Sequence, residues 1–411
     1  MPATSPAAPA KDKISAVTAL HLPGTRYPWV FLRIETERGF HGIGQVSSGP
    51  NSPVVAAAAS RLGPLLIGED PSRIEYLWYK LYTSFNSLGS LGFVSALISG
   101  VDIALWDLLG QATSLPLTDL LGGAVRDVVP IYNTCAGPGY VSRTTRQSSD
   151  NWGLGAADSF EDLDAFLHRP GELARELWDE GIRGMKIWPF DQAAERSGGT
   201  DITADELARG IAIVEAVRAE VGFDMDLMIE LHGLWQRRGA TRICQALAPY
   251  RPYWVEDPIR PDAVDALAGL RREVDVPIAT GETCIGRRGF LPLLQRQAVD
   301  VVTVDVQWTG GLTEARKVAT LADTFAIPIA PHDCTGPVSF AACVHLVASQ
   351  PNGLVQETVR AFLRTWSPEF ATGLPVVADG LVRPPRQPGH GVRLQEGVEY
   401  RPDVRVRLSH L

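Results

Sequence analysis

The sequence predicts an α/β protein in which an α+β unit is followed by a barrel of alternating strands and helices. Three observations predict it. Strand-like apolar runs end at Lys186, Glu230, Glu256, Glu282, Asp305, His332 and Glu357, at gaps of 44, 26, 26, 23, 27 and 25 residues. All but the first gap match one strand–helix unit, the repeat of a (β/α)8 barrel. The texture also changes near residue 130, from a strand-rich start to short apolar strands alternating with amphipathic helices, which implies a parallel sheet. Finally, each run ends on an ionisable residue, and in a barrel those ends meet at the face where active sites lie.

The elements follow in order. Residues 1–13 (MPATSPAAPAKDK) are rich in Pro and Ala and lack the apolar core of a secretory leader, so they read as a disordered tail. Residues 14–47 alternate as strands do, as in Trp29-Val-Phe-Leu-Arg-Ile34. Leu97, Val101, Ala104, Leu105 and Leu108 then form one helical stripe. Val129–Thr134 is the expected first barrel strand, and the insertion 137–159 is expected to loop over one end. The polar stretch 191–200 is read as an extra loop that lengthens the first gap. Thr203 and Glu206 make a capping box for a helix whose face is Leu207, Ile211, Val214, Val217 and Val221, with Gly222 closing it. Residues 365–411, rich in Pro and Gly, are expected to pack back on the first unit. The division is therefore 1–13 as tail, 14–128 plus 365–411 as one domain, and 129–364 as the barrel.

Composition narrows the function. There are 38 Lys+Arg against 47 Asp+Glu, a net charge of −9, with no basic block, so nucleic acid is not an expected partner. No run of 18 apolar residues exists, so no membrane helix is expected. The five cysteines are odd in number and form no C-x-x-C pair, which argues against disulfides or a zinc knuckle and fits a cytoplasmic protein.

The strand ends carry the chemistry. Glu230, Glu256 and Glu282 close three successive strands, in the contexts MIELHG, YWVEDP and ATGETC. Neighbouring strands lie about 4.8 Å apart, so the carboxylates converge and repel unless a cation sits among them. Oxygen-only ligands favour Mg2+ or Mn2+ over zinc. Taken singly, each glutamate has a plainer use as a helix cap or an arginine partner. His232 lies two residues beyond Glu230 and, by strand alternation, projects to the same face; a hydrogen-bonded core histidine is the plainer use. His332 and Asp305 end adjacent strands, and an aspartate on one ring nitrogen raises the basicity of the other. Lys186 binds a substrate carboxylate, acts as a base if its pKa falls, or is simply a solvated charge. Glu357 donates a hydrogen bond to substrate or braces a neighbour.

This ordered set resembles the mandelate racemase branch of the enolase superfamily. The segments Ala104-Leu-Trp-Asp-Leu-Leu-Gly110, Leu120-Leu-Gly-Gly123, Val255-Glu-Asp-Pro258 and Gly281-Glu282 agree with it, over roughly residues 14 to 380. The resemblance implies a (β/α)7β TIM-like barrel under an α+β capping domain, a bound Mg2+, and removal of the proton α to a carboxylate through an enediolate. It makes Glu230, Glu256 and Glu282 the metal ligands, His332 with Asp305 the basic dyad, Glu357 the group that hydrogen-bonds the enediolate, and Lys186 the first lysine of a Lys-x-Lys motif. Trp188 stands where racemases carry the second lysine, and is counted with Asn51, Tyr27 and Arg26 of the capping loops as a substrate contact. The Glu230-x-His232 motif resembles the sugar-acid dehydratases of the branch.

The expected activity is therefore Mg2+-dependent dehydration of an aldonate or aldarate. His332 takes the α-proton, the 3-hydroxyl leaves with a proton from His232 or His332, and a 2-keto-3-deoxy acid results. Two other readings stay open: a cycloisomerase, lactone-opening enzyme or racemase of the same branch, and a catalytically silent metal-binding paralogue. The family's habit makes a homo-oligomer the expected assembly.

Overall fold

The computed structural model describes residues 12–23, 28–89, 91–144, 147–155 and 159–409. The first unit is an antiparallel sheet of β1 (Ile14–Leu22), β2 (Trp29–Thr36) and β3 (His41–Ser48). The C-terminal strand Arg405–Ser409 joins its free edge beside β1, so the chain's end completes the sheet its beginning starts. The helix Phe93–Thr113 lies directly on β3, and glycines permit the approach: a Cβ on Gly44 would sit 1.8 Å from the Gly100 carbonyl oxygen. This helix is long and apolar enough to cross a membrane by length and composition, and most of it is buried in the packing.

The barrel begins at β4 (Val129–Thr134) and continues through β5 (Gly184–Ile187), β6 (Asp226–Glu230), β7 (Trp254–Glu256), β8 (Ile278–Thr280) and β9 (Val301–Val302), each parallel to the last. Ile329 bridges β9 to Gly353, and β10 (Gln356–Thr358) returns to β4 and closes the ring. With the helices between, this is the (β/α)7β barrel. The expected strand before His332 is reduced to Ile329, with one bridge on each side. Pro328 and Pro331 flank it and have no N–H to give a ladder, and only the Pro328 carbonyl and the Ala330 N–H bond to Val302.

Inside the ring, Tyr132, Met228, Trp254, Ala279, Val301, Ala330 and Val355 form a dry layer. Strand side chains repeat every second residue, so the next layer up contains Thr134, Glu230, Glu256, His332 and Glu357, all buried. The period-two rule thus stacks the ionisable groups on an apolar floor.

Two expectations change. Residues 191–197 are not a loop but a helix, Asp191–Ser197, closed by Gly198 in the left-handed region (φ 61°). The tail also divides: Leu381–Val382 pairs with β4 of the barrel, whereas Arg405–Ser409 pairs with β1. All five cysteines are unpaired.

Candidate active site

Glu230 and Glu256 are direct partners across β6 and β7. Glu282 follows two residues after β8, and oxygen atoms of all three carboxylates lie within 4.8 Å of one another. Glu230 Oε1 accepts the backbone N–H groups of Leu231 (3.0 Å) and His232 (2.6 Å), which fixes its orientation. Glu256 Oε2 accepts from the Trp254 indole at 3.0 Å. Its Oε1 is buried and has no hydrogen-bond partner among the described residues. Burial drives the Glu256 carboxyl up to about 8; Lys186 opposes this, and Glu230 and Glu357 add to it. Glu282 is likewise raised, first by burial. Three converging carboxylates, two of them buried and Glu256 with an orphaned oxygen, suit a hard cation, and the set contains no soft ligand.

Lys186, 2% exposed, is the internal counter-ion. Its ammonium lies 2.8 Å from Glu357, 3.1 Å from Glu256 and 3.5 Å from Glu230. Burial pushes it down, but Glu256 and Glu357 overcome this and hold it well above the ordinary lysine value. The fall in pKa that a base needs is the opposite of what these carboxylates produce. Glu357 is raised by burial but held down to about 2, chiefly by Lys186 and then His332. Its oxygens accept from the Asp333 N–H at 2.8 Å, from the Thr134 hydroxyl and from Lys186. An ionised carboxylate has no proton to donate, so of its two expected uses this arrangement supports bracing.

His332 and Asp305 meet across the rim, Nδ1 to Oδ2 at 2.7 Å. Asp305 is steadied by the Trp308 N–H on its other oxygen at 2.7 Å. The free His332 Nε2 lies 3.4 Å from Glu282. Burial lowers the imidazole pKa, and Glu282 and Glu357 more than reverse it. His232 and Asp191 form a second pair. His232 Nδ1 lies 2.8 Å from Asp191 Oδ2, and its Nε2 lies 3.3 Å from the Tyr140 hydroxyl, which also accepts from Gln147 at 2.7 Å. Burial lowers His232, and Asp191 with Glu230 outweighs it, giving about 9.

Two histidine–aspartate pairs around a carboxylate triad are thus placed by a capped barrel. Residues 9–122 match the mandelate racemase / muconate lactonizing enzyme N-terminal domain, and residues 170–398 match the enolase C-terminal domain-like family. The chain belongs to the mandelate racemase/muconate lactonizing branch of the enolase superfamily. A D-galactonate dehydratase of Ralstonia nicotianae is 30% identical over 395 residues, covering 94% of this chain and 93% of that one. Among solved structures, an enolase protein from Sargasso Sea environmental sequencing superposes with a TM-score of 0.85 at 36% identity, covering 97% of this chain and 99% of the other. An enolase of the mandelate racemase subgroup from Agrobacterium tumefaciens gives 0.82 at 35% identity, covering 97% and 98%.

Within this superfamily frame, the other expected contacts separate. Trp188 is 1% exposed, with ring centroids 5.1 Å from Tyr140 and Phe166 and 5.7 Å from His232. It packs edge-on against His232. Asn51 is exposed at the start of the helix Ser52–Ala59 and makes no side-chain cap. Tyr27 and Arg26 lie outside the described residues. His232 does reach the triad, though not by strand alternation: β6 has ended, and the residue sits at φ 50°. The sequence reading missed Asp191, Tyr140 and Gln147. Asp191 had one signal, an acidic residue opening a helix with Arg196 in its last turn and glycine behind. Tyr140 and Gln147 come from an irregular insertion and had none.

Proposed function

We propose that this protein dehydrates a sugar acid, an aldonate or aldarate, to a 2-keto-3-deoxy acid with the help of Mg2+. The observation that carries the reading is the pair of histidine–aspartate couples flanking Glu230, Glu256 and Glu282. Elimination of water from a hydroxy acid needs one group to take the α-proton and one to protonate the departing hydroxyl. The D-galactonate dehydratase relative supports the same class of substrate.

Glu230, Glu256 and Glu282 are the residues to hold the cation. When bound, it supplies positive charge against the negative charge that grows on the substrate carboxylate as the α-proton leaves. His332 accepts that proton at Nε2, while Asp305 fixes Nδ1 and stabilises the imidazolium. A cation held by Glu282 would offset part of the carboxylate charge that raises His332, with Glu357 supplying the rest. His232, held charged by Asp191, donates from Nε2 to the leaving 3-hydroxyl. Lys186 and Glu357 balance each other's charge beside the triad. Trp188 excludes water from behind His232.

The test is a panel of aldonates, aldarates and their lactones, assayed for 2-keto acid with Mg2+ and with chelator. Keto acid from at least one sugar acid, lost on chelation and restored by Mg2+, is the expected result. No keto acid from any member overturns the reading.

A further inference from the structure

The helix Phe93–Thr113 is the apolar centre of the capping domain, yet it carries a polar stripe. Ser95, Ser99, Asp102 and Trp106 follow at steps of four, three and four, so they share one face. Ser95, Ser99 and Asp102 are almost wholly buried, and burying such groups is costly unless each finds a partner. Each finds it on one short segment of the barrel, the loop from Asp305 into the helix Gly311–Thr324. The Ser95 hydroxyl donates to the Trp308 carbonyl at 2.6 Å. The Ser99 hydroxyl accepts the Gly310 N–H at 2.9 Å. Asp102 Oδ2 accepts the Thr313 N–H at 2.9 Å, and the Trp106 indole donates to the Thr313 hydroxyl at 2.8 Å.

That segment carries Asp305, which holds His332 at 2.7 Å. Trp308 donates its N–H to Asp305, and its ring lies 5.0 Å from that of His332. The contact leaves no slack, because a Cβ on Gly311 would meet Asp102 Oδ2 at 2.4 Å. The helix is also seated closely on β3, where a Cβ on Gly44 would meet the Gly100 carbonyl oxygen at 1.8 Å and one on Gly100 would meet the Val46 side chain at 2.6 Å.

We propose that Ser95, Ser99, Asp102 and Trp106 are positioning residues: through Trp308 and Asp305, this capping-domain stripe sets where His332 stands against the α-proton. The inference rests on the reading of His332 as the base. It makes proton removal, and not metal or substrate binding, the step that depends on this seam between cap and barrel.

The test compares Ser95→Ala and the double variant Ser95→Ala/Ser99→Ala with wild type, with Ser409→Ala as control. Ser409 is also a buried capping-domain serine with two hydrogen bonds, to Ser60 and from Gly63, but it has no link to the loop. With the sugar acid turned over fastest, deuterated at C2, kcat in the stripe variants falls by about tenfold, as sub-ångström misplacement of reacting groups does. KM is little changed, and the deuterium isotope effect rises because proton removal becomes more rate-limiting. Ser409→Ala keeps the wild-type isotope effect. A purely structural role lowers the amount of active enzyme and leaves the isotope effect alone; that outcome, or wild-type kcat in both variants, overturns the proposal. A second readout needs no substrate: the low-field NMR signal of the His332 Nδ1 proton, identified by its loss in His332→Asn, shifts or broadens in the stripe variants. If wild type turns over no sugar acid, the functional reading fails by itself, and this signal decides the positioning role: a shift upholds it and an unchanged signal overturns it.

Discussion

Glu256 and Glu357 share one lysine and are pushed in opposite directions. Glu357 lies 2.8 Å from Lys186 and also accepts from Asp333 and Thr134, so its charge is fully met and its pKa falls to about 2. Glu256 lies 3.1 Å from the same ammonium, but burial first, and then the charges of Glu230, Glu357 and Glu282, drive it up to about 8. One carboxylate is complete within the protein; the other lacks a positive charge on the side where the triad opens. The same division separates His332, whose free nitrogen faces Glu282, from a structural histidine. Replacing His332 by Asn removes the base while leaving Glu230, Glu256 and Glu282 in place. Turnover should be abolished, with Mg2+ affinity by calorimetry close to wild type; unaltered turnover would refute the assignment of the base. The strand-end residues were legible in the sequence because the barrel repeat is regular. Asp191, Tyr140 and Gln147 were not, because they reach His232 from segments whose path no periodicity records.

Elements were legible where one local rule governs them. The helix Ala204–Val221 has the expected capping box, with Thr203 accepting from Glu206 N–H and Gly222 at its end. The stretch before His332 was misread as a full strand because apolar composition suggests one, whereas its prolines forbid the ladder. The closing of the barrel was less visible still. Arg360, just past β10, is buried and bonds Asp162 through two nitrogens at 2.8 and 2.7 Å, Glu176 at 2.8 Å and Glu180 at 2.7 Å. It ties the last strand to the helices Asp162–His168 and Pro170–Asp179 that follow the first. Asp162 also accepts from Asn133 of β4 at 2.9 Å. Arg360→Ala leaves Asp162 buried without its cation, and the expected loss is about 3–5 kcal/mol in urea unfolding. A loss below about 1 kcal/mol, the range of an exposed ion pair, would show that the network does not fasten the ring.

At the scale of the whole molecule, the cap is a structural part of the catalytic rim. The Phe93–Thr113 helix grips the loop after Asp305, and Gln45 of β3 grips the loop after His332, donating to the Thr335 carbonyl at 2.6 Å and accepting from Val338 at 3.2 Å. Sequence periodicity recognises each unit separately, but these seam contacts join residues more than 200 positions apart and leave no local trace. The net charge of −9 says little about the substrate, itself an anion; what matters is how a few buried carboxylates are balanced. The central claim is that this balance removes an α-proton and expels a hydroxyl. The most direct measurement is the mass of the product formed from a sugar acid in the presence of Mg2+. A product lighter than its substrate by one water is the predicted result. A product of unchanged mass, from isomerisation or lactone chemistry, would contradict it.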